Sequence, residues 1–204
     1  MSRRWWPRAL RWVPLALAFA VLVACGEGAG GKKFLSNDVT GVPWGRGFAL
    51  TDHTGQPRTL ADFRGKVVLL FFGFTHCPDM CPTALAQMTQ TVERLGPDGA
   101  SVQGLFVTVD PKRDTAEVLG KYVPAFHPGF LGLRGSGEET AAAAAEFKIF
   151  YAAQAPDASG SYTVDHTAGI YALDGAGRLR LYMGPGRTVE SMVHDVKLLL
   201  EEQG

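Results

Sequence analysis

The run Val67-Val68-Leu69-Leu70-Phe71-Phe72-Gly73-Phe74-Thr75-His76-Cys77-Pro78-Asp79-Met80-Cys81-Pro82 decides the fold class of this chain. Val67 to Phe72 is continuously apolar, the pattern of a strand buried on both faces of a sheet rather than of a half-exposed one. From Pro82 the pattern TALAQMTQTVERLG predicts a helix, with Pro82 suited to its first position and Gly96 to its stop. Strand, loop and helix in that order put two thiols, Cys77 and Cys81, where a strand's carboxyl end meets a helix N-terminus, the place where open α/β sheets gather their chemistry.

Working outward, Phe48 to Leu60 predicts a hairpin turning near Thr54-Gly55, and Leu105 to Val109 a second buried strand. Asp114, with Glu117 three residues on, has the form of a capping box opening a helix to about Val123. A third helix is expected over roughly Glu138 to Phe147, and two strands near Gly169–Leu173 and Leu179–Tyr182. The last helix places Val189, Met192, Val193, Val196, Leu199 and Leu200 on one face. Strands alternating with helices predict an α/β sandwich with a mixed central sheet. The order looks like a thioredoxin-type fold carrying the N-terminal β-hairpin extension of its extracytoplasmic relatives, in one domain over residues 42–204.

The 204 residues balance 20 Lys+Arg against 20 Asp+Glu, and 46% are hydrophobic, too many for a disordered chain. No basic block lies beyond the extreme N-terminus, which excludes a nucleic-acid binder that works by neutralising phosphates. Arg3, Arg4, Arg8 and Arg11 precede an apolar run from Trp12 to Ala24, the layout of a removable secretory signal and short for a membrane span. Leu22-Val23-Ala24-Cys25-Gly26 resembles the lipobox of bacterial lipoproteins, which makes Cys25 the expected lipid attachment point, residues 1–24 a lipoprotein signal peptide and residues 25–41, rich in glycine, a flexible tether. That places the domain on the extracytoplasmic face of a bacterial membrane. Without residues 1–24, 16 basic groups stand against 20 acidic ones.

The chemistry centres on Cys77 and Cys81. A helix N-terminus favours negative charge and so lowers thiol pKa values. A plain disulfide closing so short a loop would stabilise at the low end of the usual ~2–4 kcal/mol. Thiol-disulfide enzymes of thioredoxin type space their cysteines by two residues; here there are three. That leaves room for both sulfurs to converge on one soft ion, Cu(I), zinc or an iron–sulfur site, and two thiols do not suffice for a four-cysteine cluster. For a third donor, His53, His127 and His194 read as surface residues, and His76 adjoins Cys77 too closely for joint ligation. His166 enters the late strand pair, in the loop that normally carries a cis-proline facing the thiols in thioredoxin-type folds. No proline lies between Ser161 and Tyr171. Two thiolates and an imidazole suit trigonal Cu(I).

At this point the chain resembles the Sco/SenC proteins, copper-delivery factors of cytochrome c oxidase assembly. The resemblance is carried by GKVVLLFFGFTHC, by CPDMCP at Cys77–Pro82, by VDPKRDTAEVLGKYV at Val109–Val123, by FHPGFLGLRG at Phe126–Gly135 and by DHTAGIYALDGAGRL at Asp165–Leu179, in order across nearly all of residues 46–200. It implies copper bound by Cys77, Cys81 and His166, and delivery to the dinuclear copper centre of oxidase subunit II, with an upstream copper donor or thiol reductant as a further partner. Met80 departs from the branched aliphatic often found there; packing is the expected role, weak thioether ligation the other. Asp165 is a candidate to orient His166, and Asp79 to add an oxygen ligand or to accept hydrogen bonds in its turn. Asp110, before Pro111, is read first as a turn residue, with a partner-facing role at a strand's carboxyl end as the alternative.

The rival function is a thiol-disulfide reductase that uses Cys77 and Cys81 to keep an acceptor's cysteines reduced, and such an enzyme has no need of His166. A peroxiredoxin-like peroxidase needs neither the histidine nor the second thiol four residues on. A closed zinc site wants four ligands, and three are found.

Overall fold

The computed structural model describes Met1 and residues 33–202. In chain order its strands are β1 (Asn37–Asp38), β2 (Ala49–Asp52), β3 (Pro57–Thr59), β4 (Val67–Gly73), β5 (Val102–Thr108), β6 (Leu131–Arg134), β7 (Tyr151–Ala153), β8 (Val164–His166), β9 (Ile170–Leu173) and β10 (Leu179–Met183). The helices are α1 (Met80–Arg94), α2 (Ala116–Tyr122), α3 (Gly137–Glu146) and α4 (Val189–Glu201). Eight strands form one sheet in the order β1-β10-β9-β4-β5-β6-β2-β3, and β7 and β8 form a separate two-stranded ribbon.

The sheet is mixed, as expected: β4, β5 and β6 run parallel, and β9 joins β4 antiparallel. Every residue of β4 and β5 is buried, so both faces of the sheet centre are covered. Helices α1 and α4 pack on each other and on β4, while α2 lies against β6 and α3 against β2. The expected hairpin forms as β2 and β3, and β2 joins the sheet through β6.

Four local expectations need correction. Helix α1 starts at Met80, with Asp79 at its N-cap, two residues before Pro82. First-turn amides have no intrahelical acceptor, so a proline at the third position costs no hydrogen bond. At the other end Gly96 follows the C-cap Leu95 with φ +60°, a left-handed stop that glycine adopts without strain. Helix α2 is capped by Thr115, whose hydroxyl accepts from the Val118 amide at 3.2 Å, and not by Asp114, which is fully buried. On α4 the buried face takes Asp195 and Leu198, while Val193 and Leu200 are only partly covered.

The fourth concerns the tether. Leu35 and Ser36 donate their amides to the buried Asp195 carboxylate at 2.7 and 2.8 Å, and β1 pairs with β10, so the chain is part of the fold from Leu35 and not from residue 42. The expected signal peptide and Cys25 lie outside the described residues. Among the described residues no helix is long and apolar enough to cross a membrane.

Candidate metal centre

The two thiols follow the carboxyl end of β4. The Cys77 amide donates to the Phe74 carbonyl at 3.3 Å, turning the chain out of the sheet, and α1 then begins at once, with Cys81 as its second residue. Cys81 is fully buried and Cys77 half-buried; both are free thiols. Gly73 makes the room: a Cβ there would stand 2.8 Å from Cys81 Sγ and 2.7 Å from the Phe71 ring, so no larger residue fits without moving the thiol.

His166 ends β8, paired across the ribbon with Tyr151. Its ring is held edge-on between Phe71 and Phe74, with centroids 5.9 and 5.8 Å away. Nδ1 lies 3.0 Å from the Thr167 main-chain oxygen. A carbonyl only accepts, so Nδ1 carries the proton and Nε2 presents a lone pair. That Nε2 is 3.5 Å from Cys81 Sγ. The donor atoms of Cys77, Cys81 and His166 all lie within 4.8 Å of one another, the one such cluster among the described residues.

The electrostatics divide the thiols. Burial pushes the Cys77 thiol up, but the amides of Asp79, Cys81 and Met80, together with the Cys81 thiol, donate to its sulfur and bring it below the ordinary value. These amides are the unpaired first-turn donors of α1, which is why the early helix start matters. Burial pushes Cys81 far up, and the neighbouring Cys77 and Asp114 charges add to it. Burial lowers His166, against the opposing effects of the Thr167 hydrogen bond and the Asp165 charge, so its imidazole is neutral and able to ligate near pH 7.

The other candidates fall away from the cluster. Asp165 is exposed and accepts from the Gln154 side chain; the group that orients His166 is the Thr167 carbonyl. Asp79 is exposed and accepts from the Thr83 hydroxyl at 3.4 Å, a helix-start role. Met80 is 41% exposed, which corrects the packing expectation. His53 accepts from the Gly132 amide, His127 from the Gly129 amide, and His194 lies against Asp195. Asp110 is buried, and its carboxylate is already held by Arg113 and by the Tyr162 hydroxyl at 2.9 Å rather than left for a partner.

Two supports escape a reading of the sequence. Asp114 accepts from the Thr75 amide at 3.0 Å and from the Thr75 and Thr108 hydroxyls at 2.6 Å each, tying the loop before Cys77 to the end of β5. Arg113 lies over the Tyr162 ring at 3.6 Å and donates to the Tyr162 carbonyl at 2.7 Å, tying the segment that leads into the ribbon strand carrying His166 to the loop after β5. The available signal was a threonine closing each buried run, Thr75 after β4 and Thr108 at the end of β5.

A family model described as SCO1/SenC matches residues 38–201. The chain belongs to the SCO1/SenC family. It is 46% identical over 152 residues to the mouse mitochondrial SCO2 homologue, covering 74% of this chain and 60% of that one. It spans 57–60% of the length of the mammalian SCO2 homologues it matches. Among solved Sco structures, ScoI of Bradyrhizobium japonicum with copper bound superposes with a TM-score of 0.69 at 38% identity, covering 76% of this chain and 98% of that one. Apo Sco1 of Thermus thermophilus gives 0.74 at 42% identity, covering 84% and 99%. The SCO1/SenC match contains all three clustered donors and both supports, Asp114 and Arg113.

Proposed function

We propose that this SCO1/SenC protein is a copper carrier: Cys77, Cys81 and His166 hold copper and pass it to an acceptor, the copper centre of cytochrome c oxidase subunit II. The observation that carries the reading is the convergence of two sulfurs and one imidazole nitrogen within 4.8 Å, a soft, three-donor set. The copper-bound state of the Bradyrhizobium relative supports the choice of ion. Cargo enters as the Cys77 and Cys81 protons leave. A three-donor site suits transfer, because an acceptor can add its own ligand before the last donor is lost. We also assign the protein to the extracytoplasmic face of a bacterial membrane, anchored through a lipid on Cys25.

The deciding experiment is titration of the reduced full chain with Cu(I) and Cu(II), alongside Cys77→Ser, Cys81→Ser and His166→Ala. Tight one-to-one binding that each substitution abolishes or sharply weakens is expected. Unchanged stoichiometry and affinity in His166→Ala would overturn the ligand assignment. Mass spectrometry of the membrane-extracted protein should find the chain starting at a lipidated Cys25; an intact leader with unmodified Cys25 would remove the anchor.

The division between a lowered, half-exposed Cys77 and a buried, raised Cys81 also favours a second reading, a thiol-disulfide reductase. Cys77 thiolate would attack an acceptor disulfide and Cys81 would resolve the mixed disulfide, leaving the acceptor as a dithiol and Cys77–Cys81 oxidised. Reductase activity that survives His166→Ala would separate this role from copper transfer.

A further inference from the structure

The ribbon that ends at His166 also walls a groove of about 600 Å³, which lies between it, the ends of β5 and β6, and the start of α3. Nothing in the metal reading uses this groove. Its charge is one-sided. Lys112 and Arg134 are on its wall, and neither has a carboxylate within ion-pair distance among the described residues; Arg134 spends its hydrogen bonds on the main-chain oxygens of Asp114 and Pro111, at 3.2 Å each. The acidic wall residue, Asp110, is already paired with the Arg113 guanidinium and also accepts from the Tyr162 hydroxyl. Ser136 and Glu139 satisfy each other in a capping box, which leaves the Gly137 and Glu138 amides of the ten-residue α3 without an intrahelical acceptor.

Thr140 supplies the independent observation. It lies on the groove wall, is 1% exposed, and its hydroxyl has no partner among the described residues. Buried hydroxyls are rarely left unpaired, and a ligand oxygen in the groove would pair this one. The groove is also shaped for a chain. Strand β7 pairs only with β8 in its two-stranded sheet, and Tyr151 and Ala153 of that edge strand line the same groove as the cations. An extended segment laid along β7 gains main-chain hydrogen bonds, with the rings of Tyr151 and Tyr162 on the wall for an apolar side chain.

We propose that this groove binds an extended acidic peptide segment of a partner protein. A carboxylate of the segment meets Lys112, Arg134, the α3 amides and the Thr140 hydroxyl, and an apolar neighbour rests on the two tyrosines. Val164 is on the groove wall and His166 is two residues further along the same strand, so a partner held here is brought beside the metal donors without using any of them.

The test is a metal-free NMR titration of the full chain in detergent, with acetyl-Asp-Phe-Asp-Val-amide as probe and acetyl-Asn-Phe-Asn-Val-amide and phenylacetate as comparators. Saturable shifts at the Gly137, Glu138 and Ala153 amides are expected, with a Kd below about 1 mM, and the Asn peptide roughly tenfold weaker or more. Lys112→Gln, which removes only an exposed side chain, and Thr140→Val should each weaken the acidic peptide by roughly three- to tenfold, with Cu(I) stoichiometry unchanged. Equal binding of the Asn peptide, shifts that both variants leave intact, or no saturation by about 10 mM would overturn the proposal. Phenylacetate binding as tightly as the acidic peptide would also overturn it, in favour of a small-anion site.

Discussion

The Nδ1 of His166 faces the main-chain oxygen of Thr167 at 3.0 Å, and this contact leaves Nε2 facing the Cys81 sulfur at 3.5 Å. The orienting group of the proposed copper ligand is thus backbone, which no side-chain substitution removes. The Asp165 carboxylate is turned to Gln154 instead. Asp165→Asn is therefore expected to change Cu(I) affinity by less than about threefold, against the 10–100-fold that loss of an orienting partner typically costs. Competition titration against a Cu(I) chelator measures it, and a loss beyond tenfold would show that Asp165 acts on the ring after all.

The thiols should differ in reactivity. Cys77 is half-buried and held below its ordinary pKa by helix amides, whereas Cys81 is buried and raised. Iodoacetamide near pH 7 should alkylate Cys77 at least about tenfold faster than Cys81, read by peptide mass spectrometry. Equal rates would contradict the division of roles on which the reductase reading rests.

Gly73→Ala is expected to destabilise the fold by about 1–3 kcal/mol through overpacking, because its Cβ meets Cys81 Sγ at 2.8 Å and the Phe71 ring at 2.7 Å. The displaced sulfur should also weaken Cu(I) binding. Urea denaturation with a parallel metal titration separates the two effects; wild-type values in both would show that the loop yields freely.

Asp114→Ala leaves the Thr75 amide and two hydroxyls without their shared acceptor. An unpaired buried donor costs about 1–3 kcal/mol, so a loss of at least that size is expected in urea denaturation. Amide exchange at Thr75 should accelerate by more than the global loss of stability alone requires, because the loop before Cys77 is untied from β5.

Asp52 predicts the acid limb of stability. Burial works to raise its carboxyl, but hydrogen bonds from the Thr54 hydroxyl, Arg58 and the Gln56 and Thr54 amides outweigh it and lower the carboxyl from 3.8 to about 2. A depressed folded pKa stabilises above the unfolded value and is lost as pH falls through the folded one. The contribution, about 2 kcal/mol, should therefore be whole above pH 4 and fade toward pH 2. Asp52→Asn should flatten that limb in pH-dependent thermal melts.

Much of this was legible along the chain. The apolar run of β4, the hairpin, β5 and the final strand pair are patterns that neighbouring residues carry alone, and the Cys77–Cys81 spacing shows soft-donor chemistry before any fold is known. Helix starts were less legible: an acidic residue three before a glutamate is a good capping signal, yet at Asp114 the hydroxyls of Thr75 and Thr108 compete for the same carboxylate and win. The short strands β6, β7 and β8 went unread because three or four residues hold too little periodicity to show, and their existence depends on a partner strand distant in sequence.

What the sequence determined by itself was the α/β class, the thiol pair and the histidine to test, since these rest on residue type, local order and resemblance. What only the tertiary structure decided was the geometry of convergence: that His166 reaches Cys81 across 85 residues, which ring nitrogen is free, and that Asp165 and Asp79 stand apart. The reason is physical. A side chain's direction is set by the backbone it stands on, and the ribbon that aims His166 is held in place by Arg113, Asp110 and Tyr162, contacts that arise only once the sheet has brought them together.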